Sequence, residues 1–216
     1  MGAILCRWAY LLARHQWGGA PLFHWLRLAL LGGATLAALG VLPGRWGGAL
    51  AALGAFLLSF AWEWWARRRQ YVVFTTQEQE PPPPAPLAPR DKVPLRATGL
   101  FAVQGKVQAF TELPAFFRTF ATREHAIMAF ARPSRWLLVG AWPQEEVGMW
   151  YIFFRPEVIR GVQPGLLRFG RRAHPALRVT VQDEGRARAV YLSFDDPEER
   201  RRVWADVIHD APPGGA

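Results

Sequence analysis

The sequence predicts a membrane α-helical hairpin followed by a mostly-β domain that a C-terminal helix caps. Three observations predict it. Two apolar runs of 18 and 17 residues, Trp25–Leu42 and Trp46–Trp62, stand back to back near the start. A proline-rich stretch, Pro81–Pro84 with Pro86 and Pro89 beyond it, then separates two compositions. After it come short alternating apolar runs between turn residues, ended by one amphipathic segment.

Charge sharpens the division. The 216 residues carry a net charge of +9. Residues 1–70 hold seven arginines, no lysine and one acid, Glu63, for a net of +6; residues 71–94 net −1 and residues 95–216 net +4. A basic balance suits nucleic acid, an anionic membrane surface or plain solubility. No basic run is interleaved with aromatics and no nucleic-acid-binding motif occurs, so nucleic acid is not an expected partner. Cys6 is the one cysteine, which rules out an intrachain disulfide. It fits neither a lipoprotein signal nor a myristoylation pattern, which needs Ser or Thr at that position. A cleavable signal peptide is also not expected, because the first apolar run begins late and a second follows at once.

Residues 1–20 read as an interfacial amphipathic helix. Ile4, Leu5, Trp8, Leu11 and Leu12 recur at helical spacing, with Arg7 and Arg14 on another face. Such a helix lies at headgroup level through Trp8 and Tyr10; the alternative is an ordinary helix packed on the protein.

Residues 21–70 hold the transmembrane hairpin. Each run is at the lower limit for crossing a bilayer at 1.5 Å per residue. In lipid the backbone must satisfy itself, which a helix does. Arg27 lies near the start of the first run, where its side chain can snorkel to the headgroups. Trp25, Trp46 and the cluster Trp62, Trp64 and Trp65 mark segment ends as an aromatic belt. Pro43-Gly44-Arg45 breaks the helix. Gly33, Ala37 and Val41 on one run, and Gly47, Ala51, Ala55 and Ser59 on the other, predict close helix approach; the alternative is a run of low specificity. Six arginines flank the hairpin and only Arg45 lies in its turn. That bias predicts a multi-pass plasma-membrane protein with the N-terminus and the C-terminal domain cytoplasmic.

Residues 71–94 read as a proline-rich linker. Tyr71–Thr76 is a short strand or an interfacial exit. The prolines predict a semi-rigid polyproline II spacer, and Pro83 and Pro86 also fit a PxxP ligand.

Residues 95–211 read as the β domain. Arg96–Val103 and Lys106–Phe110 flank a Gln104-Gly105 turn. His125–Phe130, Trp136–Ala141 and Met149–Phe154 are further strands, the last apolar on both faces and so expected to be covered on both. Val158–Val162 and Leu166–Phe169 flank a predicted Gln163-Pro164-Gly165 turn. Leu177, Val179 and Val181 alternate with polar residues, and after Asp183-Glu184-Gly185 a strand follows in which Val190, Leu192 and Phe194 share a face. Asp195 or Asp196 caps the final helix, Pro197 opens it, and Pro212 and Pro213 stop it. Val203, Trp204, Val207 and Ile208 form its apolar stripe, with Trp204 the structural anchor.

The stretch MWYIFFRPEVIRGVQPGLLRFG, followed by PALRVTVQDEGRARAVYLSFDDPEERRRVWADV, resembles the pleckstrin-homology-like superfamily in its bacterial membrane-linked form. The resemblance covers about residues 95–211. It implies a curved antiparallel barrel with the helix plugging one end. The strand candidates outnumber the usual seven, and Lys106 stands alone in the first hairpin where some members grip inositol phosphates with a basic cluster.

The chain offers little chemistry. His15, His24, His125, His174 and His209 lack metal-ligand spacing, so no metal site is expected. Glu124-His125 lacks the second His of a zinc-protease helix and reads as an edge-strand pair. No phosphate-binding glycine loop or nucleophile elbow occurs, Glu145-Glu146 reads as solvated, and neither catalytic residues nor a cofactor are expected. The surface candidate is the Arg168–His174 loop, where Arg168, Arg171 and Arg172 could grip phosphate headgroups or simply form a solvated tip. The expected function is a membrane-anchored binding module, an adaptor or accessory subunit of a membrane assembly. Its partners would be the lipid bilayer and another membrane or cytoplasmic protein. A lipid-headgroup sensor is the alternative, and an enzyme is a remote third.

Overall fold

Apolar residues three and four apart open the chain, and they form helices. A computed structural model describes residues 2–41, 45–103, 106–130, 134–137, 140–143, 149–183 and 186–210. The predicted breaks at Pro43-Gly44, Gln104-Gly105 and Glu184-Gly185, the Glu145-Glu146 pair and the Pro212-Pro213 stop lie outside those residues. Helix α1 spans Gly2–Arg14. Gly18 and Gly19, both at positive φ, then turn a two-residue hairpin of β1 (Gln16–Trp17) against β2 (Ala20–Pro21). Helix α2 runs Leu22–Ala38 and α3 runs Arg45–Arg68. Gly40, at φ 79°, ends α2 by donating its amide to the Ala37 carbonyl. Gln70 and Tyr71 take positive φ beyond α3, and the Tyr71 amide bonds back to the Ala66 carbonyl.

One helix among the described residues, Trp46–Arg68, is long and apolar enough to cross a membrane; α2 is apolar but shorter. Only 17% of the spanning window is buried. Trp46, Leu50, Leu57, Leu58 and Trp64 face outward. The predicted small-residue stripes make only part of the helix contact: Ala37 and Ser59 are buried, and Ser59 bonds Arg27 of the facing helix. Gly47, Ala51 and Ala55 are exposed, Val41 is exposed, and a Cβ added at Gly33 or Gly47 would meet nothing within 4 Å. Large side chains fill the rest of the α2–α3 contact: Phe23 and Arg27 from one helix, Phe60, Trp62 and Glu63 from the other.

Contacts divide the chain into two compact units, Met1–Tyr71 with Arg132–Glu145, and Val72–Ala131 with Glu146–Ala216. The second is built on β3 (Val73–Thr76), β4 (Val93–Val103), β5 (Lys106–Thr119) and β6 (His125–Phe130). After a separate hairpin, β7 (Ser134–Leu137) with β8 (Gly140–Pro143), come β9 (Met149–Phe154), β10 (Ile159–Phe169), β11 (Arg172–Asp183) and β12 (Arg186–Ser193). Helix α4 (Pro197–Asp210) closes the described chain. The eight main strands form one antiparallel sheet in the order β3–β10–β11–β12–β4–β5–β6–β9. The sheet ends at β3 and β9, so the predicted barrel does not close.

Three strand expectations change. The single strand Trp136–Ala141 is instead the β7–β8 hairpin, whose strands pair only with each other. The Gln163-Pro164-Gly165 turn is not a turn, because β10 runs straight through it, Pro164 opposite Leu177 and Gly165 opposite Ala176. Pro164 sits one residue beyond the last β3 pair, at the end of that ladder, where its carbonyl still accepts the Gln77 amide. A Cβ at Gly165 would collide with the Thr75 carbonyl and the Phe74 ring, so glycine is what lets β3 dock. Finally, β9 is an edge strand: Ile152 is buried, whereas Phe153 is 55% exposed.

The core lies between the inward strand faces and α4. Leu177, Val179, Val190, Leu192 and Phe194 meet Val203, Trp204 and Val207, and Trp204 is 4% exposed. Asp196 caps α4 by accepting the Glu198 amide.

Candidate functional site

The helical unit holds a buried charge cluster. Arg27 is fully buried, where the sequence expectation had it snorkelling to the headgroups. Its Nε donates to Ser59 Oγ at 2.9 Å, and its Nη2 donates to Glu63 Oε2 at 2.6 Å and to the Ser59 carbonyl at 3.1 Å. Its guanidinium lies 3.7 Å from the Phe60 ring centre. Arg67, one helical turn after Glu63, donates to the other carboxylate oxygen at 2.9 Å. Glu63 supplies the counter-charge that makes burial tolerable, and so Arg27 turns inward rather than out.

The β unit holds a second buried cluster, beneath α4. Asp206 and His125 are fully buried and Thr119 nearly so. Asp206 Oδ1 accepts the Leu87 amide at 2.7 Å, and Oδ2 accepts the Thr119 hydroxyl in a short bond. His125 Nδ1 lies 3.4 Å from the same oxygen and 3.1 Å from the Thr119 hydroxyl, and the ring stacks on Phe117. Burial alone would raise the Asp206 carboxyl; the bonds from His125, Leu87 and Thr119 together outweigh it, and the net shift is downward. The predicted edge-strand pair is corrected here: β6 lies between β5 and β9, and His125 points into the interior. Sequence reasoning passed over Asp206, whose signal was a carboxylate set between Trp204 and Val207 on an apolar face.

The cluster also fixes the proline stretch. Besides the Leu87 bond, the Ala85 amide donates to the Ala205 carbonyl, and Leu87 joins the core. The stretch is therefore tied along α4 and is not a free spacer. With its groups closed to solvent, the cluster clasps linker, sheet and helix together.

The surface of the β unit carries a cleft and an exposed basic hairpin tip. A cleft of about 510 Å³ opens among Leu100, Phe101, Ile152, Phe153, Val179 and Val190, with Glu124, Arg155 and Arg188 also lining it. Arg155 pairs with Glu124 at 3.2 Å. No known protein family, curated protein or solved structure matches this chain. Its site is therefore read from its own chemistry. Among the described residues no three His, Cys, Asp or Glu side chains group as metal ligands. Arg168, Arg171 and Arg172 are all exposed, at a tight hairpin tip rather than a loop: Phe169 pairs with Arg172, and Gly170 takes positive φ between them. His174, the far end of the predicted loop, lies 3.4 Å from Asp195 instead.

Proposed function

We propose that the chain is a membrane-anchored, pleckstrin-homology-like binding module that serves as an adaptor or accessory subunit of a membrane assembly. The outward apolar surface of α3 carries this reading, because a soluble chain rarely leaves so much leucine and tryptophan in water. Strand order supports the pleckstrin-homology-like part. Strands β4, β5, β6 and β9, then β10, β11 and β12, make a meander of four and three with a helix after the last, and β3 is the extra strand. The apolar cleft offers the binding surface.

In this reading α2 and α3 both enter the bilayer, and the arginines around them put both termini on the cytoplasmic side. Reporters fused after Arg69 and inserted at Gly44 should then respond from opposite sides of the membrane. Responses from one side would mean a monotopic anchor. The chain extracted from native membrane in mild detergent should retain a protein partner, and Phe153→Asp, at the cleft mouth, should release it. Exposure of Arg168, Arg171 and Arg172 favours the second reading, a headgroup sensor. Sedimentation with vesicles of anionic against neutral lipid, repeated with Arg171→Gln/Arg172→Gln, separates the two.

A further inference from the structure

The helical unit carries more positive charge than its own acids can neutralise. Glu63 is the one acid in residues 1–70, and it is held between Arg27 and Arg67. Arg68 and Arg69, at the end of α3, are exposed and have no carboxylate within ion-pair reach among the described residues. Both are ordered by stacking: the Arg68 guanidinium lies 3.9 Å from the Trp64 ring centre, and that of Arg69 lies 4.8 Å from Trp65. Stacking on a ring fixes the orientation of the planar guanidinium and leaves its edge N–H donors free to fork onto phosphate oxygens.

Helix α1 begins at the same place. The Trp62 indole donates to the Leu5 carbonyl at 3.2 Å, and a Cβ on Gly2 would stand 3.9 Å from the Arg69 side chain. The outer face of α1 presents Ile4, Leu5 and Trp8, and α3 adds Trp64, each 45% exposed or more. Large apolar groups beside ordered arginines match the boundary between acyl chains and headgroups. Nucleic acid would satisfy the arginines and leave those apolar groups in water.

We propose that the end of α3 and the adjoining α1 form a docking surface for acidic phospholipid headgroups, an inference that rests on the membrane-anchor reading. Acidic lipid is favoured over zwitterionic lipid because a zwitterionic headgroup brings its own cation and leaves the excess arginine charge unmet.

The test uses the full chain reconstituted into vesicles of phosphatidylcholine with a minor fraction of phosphatidylglycerol. One or the other lipid carries brominated acyl chains, which quench nearby tryptophans. Brominated phosphatidylglycerol should be enriched at the protein by about fivefold or more over brominated phosphatidylcholine, the scale of one surface arginine. Arg68→Gln/Arg69→Gln should abolish most of that preference. Arg171→Gln/Arg172→Gln should leave it intact. Equal quenching by the two lipids, or an unchanged preference in the Arg68/Arg69 variant, would overturn the proposal. A chain that washes off the vesicles in alkaline carbonate would overturn the anchor reading as well, whereas a chain that stays but shows no preference defeats this proposal alone.

Discussion

Removing the Glu63 carboxylate would leave Arg27 fully buried beside aromatic rings without a counter-charge. Breaking a buried pair from one side typically costs about 3–5 kcal/mol, far more than the net worth of the pair. Glu63→Ala should therefore destabilise the helical unit by about that much, read as a lowered melting temperature of the full chain in detergent. Replacing both partners, Arg27→Met with Glu63→Leu, should recover most of the loss. No recovery would mean the pair holds more than its own charges. Asp206 is the other buried charge with a definite consequence. Its folded pKa is depressed, so its stabilising contribution is complete above the unfolded value near 4 and is lost as pH falls through the still lower folded value. Acid titration of stability should show a loss below about pH 4 that Asp206→Asn lacks. Trp204 makes the uncharged counterpart. Truncating this buried side chain should cost about 3–5 kcal/mol. Arg201, exposed and paired with exposed Glu198, should move stability by less than about 0.5 kcal/mol on mutation to alanine.

At the scale of elements, Gly165 decides whether β3 can pair at all. Gly165→Val should push Val73–Thr76 off the edge of β10, since any Cβ there meets the Thr75 carbonyl. Amide exchange across Val73–Thr76 should accelerate, with protection in β11 and β12 retained; unchanged exchange would show that the strand can shift to make room. The same glycine shows why some elements were legible and others were not. Strands β6 and β9 lie where their apolar, β-rich runs placed them, and α4 begins at the Asp-Pro signal, because those cues are local. Pro164-Gly165 carries the local chemistry of a turn, yet its use is set by a strand some ninety residues earlier. The small-residue stripes held only at Ala37 and Ser59, for a related reason. A stripe permits close approach, but Arg27 and its aromatic neighbours already fill the gap. Asp206 and His125 were illegible as a pair, since a spacing of about eighty residues says nothing until β6 and α4 meet.

At the scale of the molecule, the proline stretch looked like the natural division, yet the contacts divide the chain before Val72. The physical difference is large. A fragment starting at Lys92 discards β3, removes Leu87 from the core, and deprives fully buried Asp206 of the amide it accepts. A buried acceptor left unmet costs about 1–3 kcal/mol, and losing a buried leucine costs about 1.5–3 kcal/mol more. These losses come from neighbouring groups and do not simply add. Even the smaller of them is a sizeable share of the roughly 5–15 kcal/mol that holds a domain together. A fragment of residues 72–216 should therefore unfold in urea at a distinctly higher midpoint than one of residues 92–216, by at least about 2 kcal/mol in free energy. Asp206→Ala should narrow that gap, because in its absence the Leu87 amide has no carboxylate to lose. Equal midpoints for the two fragments would show that the proline stretch lies on α4 without stabilising it, and would return it to the role of a spacer.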